Sequence, residues 1–283
     1  MKALVIGGTG KVGSAVADHL RECGVDTVVA SRRPPEGGLA LDLRDPEQVE
    51  ARAEGFTHAF FATPLGPDEA EVGVAAAAAL RRAGVGKLVH LGIMNVEAMR
   101  EIPHFETKIP IRDAVLGQGT GVVIAANFFF QNDLLVLPAI RQAGVFPLPV
   151  GSAGIWSVDA GDIGRAAARA LMRDDWNGRA VPLCGRERLT GPIYAEHWSA
   201  ALGRPVHYAG DAIDPFIGAM RAAIPGFGDW EAFDFATMMR VTQSFGCPAT
   251  PAEVAESEAA IGRPQRSHAD FVSATLAAQG VPS

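Results

Sequence analysis

Lys2-Ala3-Leu4-Val5-Ile6-Gly7-Gly8-Thr9-Gly10-Lys11-Val12-Gly13 decides the fold of this 283-residue chain. An apolar run closes on glycines that satisfy Gly-x-x-Gly-x-x-Gly from Gly7 and Gly-x-Gly-x-x-Gly from Gly8. Beyond them Val12, Ala15, Val16, His19, Leu20 and Cys23 recur at three- and four-residue spacing, which gives a helix one apolar face. Strand, glycine turn and amphipathic helix in that order open a nucleotide-binding βαβ unit. The glycines permit a tight turn and close backbone approach to a pyrophosphate, whose charge meets free N–H groups at the helix N-terminus. Gly7, Thr9, Gly10, Lys11, Val12 and Gly13 are therefore candidate cofactor-binding residues.

The alternation continues outward from this unit. Short β-type runs are expected at residues 3–6, 27–30, 39–41, 58–62, 87–91 and 121–125, with helices at 12–23, 46–54, 68–83 and 106–116. Such alternation predicts a parallel sheet covered on both faces, an α/β Rossmann-like doubly wound domain over residues 1–150. From 151 to 283 the pattern is mainly helical, at 161–172, 190–202, 215–223, 230–244, 251–261 and 267–278. β-like pieces remain at 155–158, 179–183 and 206–208. This part is expected to form a smaller, substrate-side domain, with residues from about 155 to 185 free to return to the first sheet.

Composition excludes several classes. With 48% hydrophobic and 20% charged residues the chain is globular rather than disordered. A net charge of −7, from 25 basic and 32 acidic residues, disfavours nucleic acid and anionic membranes as partners. The longest apolar stretch, residues 72–80, is mostly alanine and far short of the roughly twenty residues of a membrane span. The N-terminal apolar run ends in glycines, unlike a secretory signal. Cys23, Cys184 and Cys247 lie far apart with no Cys-x-x-Cys pair, so a reducing, cytoplasmic compartment is expected, with Cys23 packed on the first helix. Seven histidines without metal-ligand spacing predict no metal site, and there is no Gly-x-Ser-x-Gly elbow. Asp159 and Asp162 read as caps of the helix beginning near Gly161.

At the end of the second strand, where a carboxylate commonly meets the ribose 2′-hydroxyl of NAD, stands Ser31-Arg32-Arg33. A hydroxyl and two guanidiniums match a 2′-phosphate, which favours NADP(H) as cofactor. The bland alternative is a pair of solvated surface charges ahead of the Pro34-Pro35 loop. Asp42, followed by Leu43, either flanks the adenine or caps the helix that starts near Pro46.

Gly7–Gly13, Ser31–Arg33 and Ala62-Thr63-Pro64 resemble the NmrA-like family of atypical short-chain dehydrogenases/reductases. The likeness extends through His104-Phe105-Glu106-Thr107-Lys108, Asn127-Phe128-Phe129-Phe130-Gln131-Asn132, the run from Trp156 to Gly164, and Gly203-Arg204-Pro205-Val206. It implies NAD(P)H-dependent oxidoreductase chemistry and places Ala62, Thr63 and Pro64 beside the cofactor. The broader superfamily uses a Tyr-x-x-x-Lys pair. This chain departs from it, because its only tyrosines are Tyr194 and Tyr208, followed four residues later by Trp198 and Ala212. The resemblance puts His104-x-x-x-Lys108 there instead, and Gly92 where a serine often ends the fifth strand.

Lys108 is thus expected to hydrogen-bond the nicotinamide ribose and set positive potential near the hydride, the alternative being an exposed lysine. His104 either donates a proton, orients a substrate oxygen or is structural. Asn127, Phe128 and Phe129 follow the sixth strand at the carboxyl edge of the sheet, where doubly wound folds bind ligands, and at least one ring of the Phe128–Phe130 run packs in the core. Met94, Asn95 and Trp156 complete the substrate-binding candidates. The leading expectation is an NADPH-dependent reductase of a small conjugated acceptor, such as a quinone, enone or aromatic ketone. The runner-up is a non-catalytic NADP(H)-binding sensor that acts through a protein partner. The expected partner of the first is a small-molecule substrate, with a homodimer as a candidate assembly.

Overall fold

Ala3, Leu4, Val5 and Ile6 are all buried, so the first strand is covered on both faces, as a central parallel strand must be. The structure, a computed structural model, describes residues 1–117 and 119–279. In chain order the strands are β1 (Lys2–Ile6), β2 (Asp26–Ser31), β3 (Leu39–Ala40), β4 (His58–Phe61), β5 (Lys87–Ile93), β6 (Val122–Ala126), β7 (Val145–Phe146), β8 (Arg179–Leu183) and β9 (His207–Tyr208). Seven form one parallel sheet in the order β3-β2-β1-β4-β5-β6-β8, and β7 pairs with β9 separately. Leu4 sits opposite Val28 on one side and Ala59 on the other. The strand order reverses between β1 and β4, which opens a crevice beyond their carboxyl ends.

Helices α1 (Lys11–Glu22), α2 (Pro46–Ala53), α3 (Glu69–Arg82), α4 (Pro103–Glu106) and α5 (Lys108–Leu116) connect the first strands. They are followed by α6 (Leu137–Ala143), α7 (Ala160–Leu171), α8 (Gly191–Leu202), α9 (Ile213–Ala223), α10 (Asp229–Phe245), α11 (Pro251–Ile261) and α12 (His268–Ala278). One face of the sheet packs on α1 and α7, through Val16 and Leu20 of α1 and the alanine-rich face of α7. The other face packs on α2, α3 and α5, through Val49, Leu80 and Ile111. A third core, built on Phe146, Tyr194 and Trp198, lies among α6, α8, α10 and α12. Helix α11 returns to β8 and α7, burying Ala260 and Ile261 with the sheet core. Among the described residues no helix is long and apolar enough to cross a membrane.

The structure corrects several local expectations. Cys23 is exposed, because α1 ends at Glu22 and Cys23 is its C-cap, where the chain turns out through Gly24. Asp45, not Asp42, caps α2 by accepting the Gln48 N–H. Asp159 does cap α7, accepting the Gly161 N–H, but Asp162 lies inside the helix and binds the Arg266 N–H and the Arg263 guanidinium. Residues 155–158 make isolated bridges, Ile155 to Leu189 and Cys247 and Val158 to Phe129, rather than a strand. A 3-10 turn over Phe130–Leu135 and helix α6 had no expected counterpart, since neither presents a full amphipathic period.

Candidate active site

The turn after β1 begins with Gly7 at a φ of 81°, a left-handed conformation in which a side chain is strained. A Cβ on Gly13 would stand 2.3 Å from the Gly7 carbonyl oxygen, so only glycine lets α1 start this close to the turn. Gly10 is the N-cap of α1, and no side chain caps the helix, which leaves its first N–H groups pointing into the crevice free of side-chain partners.

Those groups open onto a cleft of about 710 Å³. Gly7, Thr9 and Gly10 form one wall, Ser31, Arg32 and Arg33 a second, and Ala62, Thr63 and Pro64 a third, with Asp42 and Leu43 between. Val12 and Gly13 are buried behind the loop and do not line it. Lys11 also stays out of the lining; its ammonium reaches the Gln131 carbonyl at 2.9 Å, and burial lowers its pKa. Ser31 Oγ is buried and has no hydrogen-bond partner among the described residues, while both arginines beside it are exposed. An unpartnered hydroxyl, two solvated guanidiniums and an uncapped helix N-terminus form a donor set suited to two phosphate groups. Arg44 also lines this cleft and is held bidentate by Asp68, with Nε–O and Nη–O distances of 2.8 and 3.1 Å.

The strap that carries Thr63 and Pro64 continues to Leu65, which lines a second cavity of about 300 Å³. Met94, Asn95, His104, Asn127, Phe128 and Phe129 meet there, although they come from loops after β5 and β6 and from α4. Trp156 does not reach it and instead uses its backbone to bond Cys247 and Gly185. Phe130 is the ring of its run that packs in the core, against His268 and Phe271. Asn95 has a φ of 56°, the only non-glycine residue with positive φ among the described residues, and its amide donates to the Pro248 carbonyl at 2.7 Å. The Asn127 amide donates to the Cys247 carbonyl at 3.0 Å while its oxygen accepts the Phe128 N–H at 2.7 Å.

His104 stands at the N-terminal end of α4, behind Pro103. Its Nδ1 lies 2.9 and 2.7 Å from the two carboxylate oxygens of Asp234, which also accepts the His104 backbone N–H at 2.9 Å. Asp234, on α10, is 0% exposed. A carboxylate on Nδ1 fixes the imidazole tautomer and leaves Nε2 for exchange with the cavity. Lys108 is held in the same manner on the other side of the strap. Its Nζ donates to Thr63 Oγ1 at 2.7 Å and to Glu69 Oε1 at 2.6 Å, and Glu69 also accepts the Thr63 and Thr107 hydroxyls at 2.6 and 2.7 Å. Glu69 is 1% exposed, so Lys108 forms an ion pair rather than the isolated positive charge expected of it, and it lines neither cavity but an adjoining pocket with Met94, Asn95 and Arg112.

A profile of the NmrA-like family matches residues 1–246. The chain belongs to the NmrA-like family. It is 31% identical to an NAD(P)H azoreductase of Xenophilus azovorans over 98% of this chain and 99% of that protein. It is equally 31% identical to a (4-alkanoyl-5-oxo-2,5-dihydrofuran-3-yl)methyl phosphate reductase of Streptomyces griseus, over 78% of this chain and 81% of the other. The fold matches that of an NADPH-dependent quinone oxidoreductase from Escherichia coli, solved with NADPH, at a TM-score of 0.83 and 20% identity, covering 98% of this chain and 100% of that one.

In this NmrA-like protein neither tyrosine faces the apolar cavity. Tyr194 is in the third core, bonded to Ser157, and burial drives its pKa well above the ordinary value; Tyr208 bonds Asp211 and is also raised. Cys247 lines the cavity, but burial pushes its thiol up to about 12, so it stays protonated. His90, on β5, is fully buried, and burial holds it well below its ordinary value as a neutral imidazole against the Phe61 carbonyl. Sequence reasoning missed Glu69, Asp234 and Arg44. Glu69 reads locally as an acidic residue in the first turn of a helix, and Asp234 lies 130 positions from its partner, so neither left a local signal.

Proposed function

We propose that this protein is an NADPH-dependent reductase of small conjugated acceptors, such as a quinone, an enone or an aromatic ketone. The observation that carries the reading is a pair of cavities bordered by successive residues of one strap, Ala62–Pro64 for one and Leu65 for the other. One is lined by phosphate-type donors, and the other is apolar and lined by His104, which the buried Asp234 holds from outside the lining. The two relatives support it: one is named for azo compounds, the other for a ring whose double bond is conjugated with two carbonyls.

In this reading Ser31, Arg32 and Arg33 would hold the 2′-phosphate, the N–H groups of the glycine turn and α1 would hold the pyrophosphate, and Lys108 would act on the nicotinamide ribose through Thr63, which lines the cleft and accepts its Nζ–H. When bound, NADPH supplies a hydride; the acceptor takes that hydride at one atom and one proton at the conjugate atom, leaving NADP⁺. His104 delivers the proton from Nε2, Asp234 stabilises the imidazolium before transfer, and solvent restores the proton afterwards. Phe128, Phe129 and Met94 orient a flat acceptor and exclude water from its face. A conjugated acceptor spreads the incoming charge over several atoms, so its reduction depends less on a dedicated acid at the reacting oxygen than that of an isolated ketone.

The test is NADPH oxidation by the purified protein across quinones, enones and aromatic ketones, with NADH in parallel. Saturable turnover with NADPH preferred is the expected result. Tight NADPH binding with no acceptor reduced overturns the reading and favours a sensor.

A further inference from the structure

We infer that the acceptor cavity selects for uncharged substrates and rejects anionic ones, including sulfonates and phosphate monoesters. The inference rests on the reductase reading and narrows it to a charge class. Among the described residues the cavity lining contains no lysine, arginine, aspartate or glutamate. Its polar groups are largely spoken for. Asn95 and Asn127 each commit one of their two amide N–H groups to the Pro248 and Cys247 carbonyls, and the Cys247 thiol is neutral. The side-chain groups left to meet a ligand are the second N–H of each amide, Asn132 and His104, and only His104 can carry a positive charge.

His104 cannot serve as an anion's counter-ion, because the buried Asp234 carboxylate already neutralises its imidazolium. When the imidazole is neutral the pair is net negative and repels an anion. Two cations that line the pocket adjoining Met94 and Asn95 are committed as well: Lys108 pairs with Glu69 at 2.6 Å, and Arg112 with Glu97 and Asp113 at 2.9 Å; the Lys11 ammonium stays outside the lining, on the Gln131 carbonyl. At the rim Leu65 and Leu135 are each 44% exposed and extend the apolar wall outward. A sulfonate entering this cavity loses its hydration and gains no counter-ion, and a charge buried without one is costly.

The test compares matched pairs in the same assay: 4-(dimethylamino)azobenzene against its 4′-sulfonate, and 1,4-naphthoquinone against its 6-sulfonate. A 4′-trimethylammonium azobenzene serves as the third arm. For the class that is reduced, kcat/KM for the sulfonate is expected to fall by about 100-fold or more, since a site that cannot pair a polar group rejects it steeply. The cation is expected to be penalised less than the sulfonate, because Asp234 attracts it. A Leu135→Arg variant is expected to close the gap between parent and sulfonate by about tenfold, by supplying the missing counter-ion. A sulfonate within threefold of its parent overturns the inference and leaves the reductase reading standing. Equal penalties for anion and cation overturn the charge argument in favour of polarity or size. Failure of every uncharged parent, with NADPH bound, removes the reductase reading and the inference together.

Discussion

Replacing Lys108 by methionine keeps the length of the side chain and removes the ammonium from a carboxylate that is 1% exposed. Breaking a buried ion pair by deleting one partner costs about 3–5 kcal/mol, because the remaining charge is left without compensation. Two features reduce the figure here. The Thr63 and Thr107 hydroxyls still donate to Glu69, and Glu69 is the first residue of α3, where the helix dipole favours a negative charge by about 0.3–1 kcal/mol. We therefore expect a loss of about 2–3 kcal/mol, or about 3–5 °C in Tm for a chain of this size. Urea denaturation measures it as a shift in midpoint at constant slope. Glu69→Gln in the Lys108→Met background removes the stranded charge and is expected to restore about half of the loss, whereas Glu69→Gln alone destabilises. A Lys108→Met protein within about 0.5 kcal/mol of the parent would show that the ammonium and the carboxylate are not coupled, and would refute the reasoning about both.

Four further outcomes follow from named contacts. Gly13→Ala forces a methyl to 2.3 Å from the Gly7 carbonyl; it is expected to lower stability by about 1–3 kcal/mol and weaken NADPH binding, read by calorimetry. Arg32→Ala with Arg33→Ala is expected to cut the NADPH-over-NADH ratio of kcat/KM by about 10- to 100-fold; an unchanged ratio removes the 2′-phosphate assignment. Asp234→Asn is expected to lower kcat by at least about tenfold with KM for NADPH unchanged, since the amide no longer stabilises the imidazolium; equal loss in both parameters indicates a structural role. Burial raises the Asp162 pKa, so the folded chain binds this proton more readily than the unfolded one, and the carboxylate loses stability as pH rises through the raised value. Asp162→Asn lacks that loss, and its stability relative to the parent is expected to increase as pH rises from about 4, measured by denaturation across pH.

Much of the sheet was legible because its signals are short. Ala3 to Ile6 announce a buried strand, the glycines a turn, and the spacing of Val12, Val16 and Leu20 a helix face, all within twenty residues. The same locality misled at Cys23, where the apolar period runs one residue past the end of the helix. It also failed at residues 130–143, where a 3-10 turn and a short helix draw their stability from burying Phe130, Leu137 and Ile140 in the third core. Ser31, Arg32 and Arg33 could be placed at the cleft because Ser31 ends β2 and the arginines follow it, at the carboxyl edge of the sheet.

The amino-acid sequence by itself determined the doubly wound sheet, the glycine turn and the charge that follows β2, since each depends on neighbours a few positions away. Only the tertiary structure decided what Lys108 and His104 face. Glu69 reaches Lys108 across 39 positions and Asp234 reaches His104 across 130, and each pair forms because helices separated along the chain pack on one another, α3 on α5 and α10 on α4. Burial then gives these pairs their chemical character, by turning a lone cation into an ion pair and a lone histidine into an imidazole held through Nδ1 by a carboxylate.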